Sequence, residues 1–252
     1  MHQAILLRAE KNLELAKNLS LRLIRSSSAS LPPAVFEKLN SVFGCSVIEA
    51  YGMTEATHQM TSNPLPPKKQ KPGFVGIPAG PEVCIMDEKD KILNQGETGE
   101  VCIKGDNVTL GYDNNPVANK NSFTNGWFRT GDQGYFDQNG YLKISGRLKE
   151  IINKGGEKIS PLEVDNVLMD HPFIEQAVCF GYEDKMLGED IAAAIIVKEG
   201  KNCSEIDVKT YAQEKLAKFK IPKKIFFVSE IPKGATGKLQ RNVLAKNFGL
   251  NS

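Results

Sequence analysis

Apolar and charged residues alternate at helical spacing over residues 4–17 and predict an amphipathic helix. "LRLIR" (21–25) reads as a strand, and "PPAVFEKLNSVFG" (32–44) as a second helix opened by prolines and closed by Gly44. "SVIEAYG" (46–52) reads as a buried strand, completing βαβ-type material from a parallel sheet. The proline- and lysine-rich "TSNPLPPKKQKPG" (61–73) reads as an exposed loop. From 74 to 145 the apolar stretches turn short and strand-like: "EVCIMD", "GEVCIKG", "QGYFD" and "YLKIS". Asn139-Gly140 is placed at a hairpin corner, and the region predicts a small antiparallel barrel or sandwich. After "SGRLKEIINKGGEKIS" (145–160) helices and strands mix. Helices are expected at 161–171 and 204–217, and strands at 175–183, 190–199 and 223–230, giving an α+β unit of ordinary domain size.

Composition narrows the function classes. The 252 residues are 40% hydrophobic and 25% charged with a net charge of +2, which is ordinary globular material and not a polyanion-seeking surface. No apolar run approaches a membrane span of ~20 residues, and the N-terminal stretch lacks a signal peptide's apolar core. Five cysteines without a CxxC pair imply reduced core thiols and a cytoplasmic compartment, and the chain ends "FGLNS", without a Ser-Lys-Leu tail. Three scattered histidines give no zinc pattern.

Several stretches carry chemistry, each with a plainer reading beside it. "PKGATGKLQR" (232–241) looks like a phosphate loop, but only Ala235 and Thr236 separate Gly234 from Gly237, and Leu239 stands where a P-loop needs a hydroxyl. "YGMTEATH" (51–58) leaves the C-terminal end of a strand, the edge at which open α/β sheets bind ligands. There Tyr51 offers a ring for a base, Thr54 a hydroxyl and Glu55 a hard oxygen for magnesium; the plainer reading is an irregular loop with a helix cap. In "WFRTGD" (127–132), Asp132 suits a ribose diol and Gly131 a close backbone approach; the plainer reading is a simple turn. "GRLKEIINKGGEK" (146–158) is either a linker with solvated charges or a hinge about Lys149, with Gly155-Gly156 leaving room for a slender ligand. In "RSSSASLP" (25–32), Ser28 and Ser30 donate to an anion or base, or else cap the next helix. Nine basic residues between Lys215 and Lys246, Arg241 among them, form a largely solvated face or serve a phosphate-rich ligand such as coenzyme A. Nucleic-acid binding is disfavoured, because most of the nearby phenylalanines fit core periodicity.

In order and spacing, "YGMTE", "GEVCIKGDNVTLGY", "WFRTGD", "GRLKEIINKGGEKISPLEVD" and "PKGATGKLQR" resemble the consecutive core motifs of the AMP-forming acyl-CoA synthetase superfamily, over residues 21–248. "RSSSASLPP", "EAYGMTEATHQMTSNPLP", "NVTLGYDNNPVANK" and "GGEKISPLEVD" look like its oxalate–CoA ligase branch. The resemblance implies an α/β plus α+β fold. Residues 1–61 would be a remnant of the α/β adenylate-binding subdomain, 62–146 a small antiparallel β-barrel subdomain, and 147–252 a mobile C-terminal α+β lid. It implies an acid–CoA ligase using ATP, Mg2+ and coenzyme A on oxalate or another small carboxylate, with AMP as product. By the same resemblance, Lys238, Thr54 and Glu55 are catalytic, and Glu55 ligates the magnesium. Tyr51, Asp132, Arg147 and Ser28 bind the nucleotide, Ser28 and His58 hold the second carboxylate, Lys149 is the hinge, and Gly156 lines the coenzyme A channel.

The family's Ser/Thr/Gly-rich loop ending in Pro-Lys-Gly, which grips the β- and γ-phosphates, does not occur before residue 51. The chain therefore matches the C-terminal part of a synthetase, with the missing N-terminal portion as its first partner, and alone it is expected to be inactive. Membrane and nucleic acid are not expected partners, and a homodimer stays open. Two other readings also stay open: an adenylating enzyme with a different acceptor, and a non-catalytic module.

Overall fold

The structure, a computed structural model, describes residues 1–232 and 239–250. The chain separates into two compact units, Met1–Ile144 and Ser145–Ser252.

The first unit opens with α1 (His2–Glu10) and α2 (Leu13–Lys17), two helices where the periodicity predicted one. The break falls at Lys11–Asn12, where the Asn12 side chain donates to the Arg8 carbonyl 2.9 Å away and competes with helix continuation. β1 (Leu23–Ser26), α3 (Pro33–Phe43) and β2 (Ser46–Tyr51) follow as expected. α3 begins at the Pro32-Pro33 pair and stops at Gly44, whose φ of 61° only glycine adopts freely. β1 and β2 pair in parallel, Leu23 opposite Ser46 and Ser26 opposite Glu49, so both chains leave the sheet at the same edge. Leu6, Ala9, Leu39, Phe43 and Val47 form the core under the three helices.

The sheet continues through β3 (Thr61–Ser62) and β4 (Ile77–Pro78) in the order β1-β2-β3-β4. The segment expected as an exposed loop therefore begins as a buried strand. Asn63, 1% exposed, ties the loop's ends together: its amide donates to the Phe74 carbonyl at 2.6 Å, and its carbonyl accepts from Lys71 N–H at 2.8 Å.

An antiparallel barrel-type sheet completes the unit. It contains β5 (Glu82–Met86), β6 (Gly99–Lys104), a short helix α4 (Pro116–Ser122), β7 (Phe123–Thr124), β8 (Trp127–Phe136) and β9 (Leu142–Arg147). The order is β5-β6-β8-β7, with β9 also on β8. Val75 N–H donates to the Leu142 carbonyl at 2.8 Å, and Leu142 N–H to the Gly76 carbonyl at 2.7 Å, joining the two sheets of the unit. At the β8–β9 corner Gly140, φ 76°, supplies the left-handed residue, and the Asp137 carboxylate takes the Asn139 and Tyr141 N–H groups. The corner thus falls at Asn139-Gly140 as expected, anchored by the Asp137 carboxylate.

The second unit is built on β10 (Ile152–Lys154), β11 (Glu157–Ile159), β12 (Ile174–Asp184), β13 (Gly188–Val197) and β14 (Lys224–Phe227). Its order is β11-β10-β13-β12, with β14 parallel on β13. α5 (Pro161–Met169), α6 (Glu205–Gln213) and α7 (Arg241–Asn247) cover it. Both sheet faces are buried, which explains the unbroken apolar run of β13. Ala177, Cys179, Ile191 and Ala193 pack with Val164, Leu168 and Val208, and Val178, Phe180, Ala192 and Ala194 pack with Leu244 and Ala245. Ser204 and Asp207 cap α6 reciprocally, and the helix stops at Gln213, short of the predicted 217. Phe226 and Phe248 stack at 4.7 Å between centroids, in the core as expected.

Candidate functional site

The residues that the sequence singled out in "YGMTEATH" lie on a loop folded back over the end of β2. Gly52 makes the fold-back possible: a Cβ there would stand 1.2 Å from the His58 carbonyl oxygen. Met60 N–H returns to the Tyr51 carbonyl at 2.9 Å, and Ala56 and Met60 are fully buried anchors beside Ile103 and Phe128. Between them runs a 3-10 turn, Thr54–Ala56, followed by Thr57 and His58 at φ 48° and 86°. Left-handed backbone at two successive non-glycine residues persists only where surroundings over-determine it. Here they do. The Asn107 amide donates to the Ala56 carbonyl at 2.9 Å, Thr109 N–H to the Glu55 carbonyl at 2.7 Å, and His58 N–H to the Met53 carbonyl at 3.0 Å.

Thr54 and His58 are exposed on this loop. Glu55 is half-buried, and one of its carboxylate oxygens accepts from the Tyr112 hydroxyl at 2.8 Å. Burial first, and the Glu55 carboxylate second, push the Tyr112 phenol above its ordinary range. Ser28 follows β1 at the same sheet edge, exposed and at φ 72°. A hydrogen bond of 3.1 Å from Arg25 to the Gln59 side chain joins the end of β1 to the Tyr51–His58 loop. The serines do not cap α3, whose N-cap is Pro32 without a side-chain bond.

"WFRTGD" is not a turn but the first part of β8, distorted by a bulge. Cys102 opposes Arg129 and Glu100 opposes Gln133, so Thr130, Gly131 and Asp132 together face Val101 alone. Gly131 takes φ 73°, with its N–H on Glu100 at 2.9 Å, and Thr130 donates to the Val101 carbonyl at 2.8 Å. The bulge holds Asp132, 3% exposed, where the Tyr51 hydroxyl donates to its carboxylate. Two residues that lie far apart in the chain and were assigned to one ligand are thereby in direct contact. This hydrogen bond holds the hydroxyl end of the Tyr51 side chain in place.

The other expected residues belong to the second unit. Arg147 ends β9 and precedes a 3-10 turn, Leu148–Glu150, which carries Lys149; both are exposed. Gly155-Gly156 is a two-residue hairpin corner between Lys154 and Glu157, with both glycines at positive φ, 61° and 95°. The Gly155 N–H donates to the Leu187 carbonyl at 2.7 Å, and the Asn153 N–H to the Glu189 carboxylate at 2.6 Å. Lys238 lies outside the described residues. Arg241, counted in the solvated basic face, is instead buried by three acceptors of its own unit. Asn107, Thr109 and Tyr112, which support the Thr54–His58 loop, were not singled out. The available signal was their place in "GDNVTLGY", part of a motif that carries the family resemblance. Among the described residues no cluster of three or more metal-ligating side chains occurs, and no helix is long and apolar enough to cross a membrane.

Residues 1–113 match the AMP-binding enzyme family, and residues 163–238 match the AMP-binding enzyme C-terminal domain. The chain belongs to the AMP-forming acyl-CoA synthetase family. It is 53% identical to an oxalate–CoA ligase of Saccharomyces cerevisiae over 92% of its own length and 43% of the relative's. It is 52% identical to an oxalate–CoA ligase of Arabidopsis thaliana over 98% of its length and 48% of that relative's. Among solved family structures, ATP-bound MatB from Rhodopseudomonas palustris superposes with a TM-score of 0.85 at 34% identity, over 90% of this chain and 45% of that one. The chain spans about half the length of the curated relatives it matches.

Proposed function

We propose that the chain carries the adenine- and ribose-facing part of an ATP-dependent, AMP-forming acid–CoA ligase that acts on oxalate or another small carboxylate. The observation that carries this reading is the contact of Tyr51 with Asp132 beside the braced Thr54–His58 loop, at the carboxyl edge of a parallel strand pair. The sequence identity to oxalate–CoA ligases supports the substrate class.

Two half-reactions follow. In the first, a carboxylate oxygen attacks the α-phosphate of ATP and pyrophosphate leaves. In the second, the coenzyme A thiol attacks the acyl carbon of the adenylate and AMP leaves. The first step brings like charges together: at 4 Å two unit charges repel by about 4 kcal/mol at an effective dielectric near 20. The Lys238 ammonium is assigned to bridge both oxyanions and offset that repulsion. The Tyr51 ring stacks on adenine, its hydroxyl end held by Asp132. By the family resemblance Asp132 and Arg147 are each assigned to the ribose hydroxyls, Ser28 to the nucleotide or the acid, and Thr54 to the α-phosphate.

Glu55 fits a magnesium site. Magnesium takes one or two carboxylates and completes its shell with phosphate and water, and one oxygen of Glu55 is not engaged by Tyr112. Such an ion neutralises phosphate charge when bound. For the second half-reaction the backbone about Lys149 turns, and the corner at Gly156 lines the path of the pantetheine arm. Ser28 and His58 hold the second carboxylate of a small dianion, where an apolar wall would reject it.

Thioester formation by the whole protein across oxalate, malonate and longer acids tests the reading, with the short dianions expected to be used best. His58→Ala removes one charge-assisted donor, so KM for oxalate should rise roughly 10- to 100-fold with KM for ATP nearly constant. Unchanged oxalate kinetics in that variant would remove His58 from the pocket.

A further inference from the structure

Arg241 spends all three of its guanidinium nitrogens on partners from three separate elements. One terminal nitrogen binds the Asp165 carboxylate of α5 at 2.5 Å, and the other donates to the Cys179 carbonyl of β12 at 2.7 Å. Its Nε donates to the Glu150 carboxylate at 3.0 Å. The second Asp165 oxygen accepts from Cys179 N–H at 2.6 Å. β12 ends its sheet, so one carboxylate and one guanidinium satisfy both main-chain groups of Cys179 on the outer edge. The Arg241 and Asp165 side chains are 12% and 4% exposed, and this inner pair belongs to the folded core.

Glu150 is different. Its side chain is 29% exposed, and it closes the 3-10 turn directly after Lys149. The bond to Arg241 therefore connects that turn to the rigid edge of β12. We propose that Glu150 and Arg241 are positioning residues for the hinge: they fasten the turn that carries Lys149 to the body of the second unit. Backbone rotation is then confined to the residues before Glu150. The inference rests on the reading of Lys149 as a pivot.

Removing Arg241 would strand a buried carboxylate and endanger the fold, so Glu150 is the residue to change. In the 252-residue chain, Glu150→Ala should speed amide hydrogen exchange over residues 148–152 by about tenfold while β12 and β13 stay protected. Glu150→Gln, which keeps an acceptor, should fall between. In the whole protein the ratio of adenylation rate to thioester formation from supplied acyl-adenylate should shift in Glu150→Ala by a similar factor, with KM for ATP unchanged. Unaltered exchange overturns the proposal, and so does faster exchange with an unaltered ratio. Lys149→Pro, which fixes φ at one value, separates the two ideas. If it leaves the ratio untouched, the pivot reading falls. If it shifts the ratio and Glu150→Ala does not, the fastening alone falls.

Discussion

Glu49 shows how one residue can tie stability to pH beside the site. It lies on β2 two residues before Tyr51, 5% exposed, with the Gly73 N–H donating to its carboxylate at 2.8 Å. Burial dominates and pushes its pKa from 4.5 to about 7, the single N–H bond opposing. Between those values the unfolded chain is ionised while the folded chain keeps the proton. The stability contributed by the protonated Glu49 carboxyl is therefore fully present below about pH 4.5 and is lost as pH rises through about 7. Glu49→Gln should flatten this slope and raise stability at pH 8 by roughly 3 kcal/mol, measured by urea unfolding at pH 5 and pH 8. An unchanged slope would exclude Glu49 as its source. "SVIEAYG" read as a buried strand, but the sequence does not show which face of it carries Glu49 or which N–H group meets the carboxylate. The sequence singled out Tyr51 and Asp132 one at a time. Their contact was not legible, because it needs a bulge whose only local sign is Gly131.

At the scale of elements, the long periodic segments were readable. α3 between its prolines and Gly44, and β12 and β13 as apolar runs, fall where the pattern put them. Misses came where a short-range polar contact overrode the pattern: Asn12 breaking the first helix and Asn63 closing the loop after β3. The paired glycines at 155 and 156 were read as open space for a ligand, and their immediate requirement is the positive φ of a tight corner. Gly52 illustrates the opposite case, a glycine required by contact. Gly52→Ala must push the His58 carbonyl away and unseat the Thr54–His58 loop. It should lower stability by about 1–3 kcal/mol and, in the whole protein, weaken ATP binding. A variant with wild-type melting and wild-type ATP affinity would show that the loop tolerates displacement.

At the scale of the molecule, the N-terminal part of the first unit exposes a run of apolar residues. Ile5, Leu7, Leu13, Leu15, Leu19 and Leu21 are each more than 40% exposed, and Leu15 reaches 67%. α1 and α2 are thus apolar on more than the face that meets α3. A polypeptide of these 252 residues should bind a hydrophobic dye and release no pyrophosphate from ATP and oxalate; turnover by it alone would refute the second expectation. The sequence made the family readable through five ordered stretches, while the bracing of the site by Asn107 and Tyr112 emerged only from the fold. The central claim is that one late cation serves only the first of two half-reactions. Its most direct test measures both in the whole protein carrying Lys238→Ala. Adenylate formation should be abolished while thioester formation from supplied acyl-adenylate is spared; equal loss of both would contradict the account.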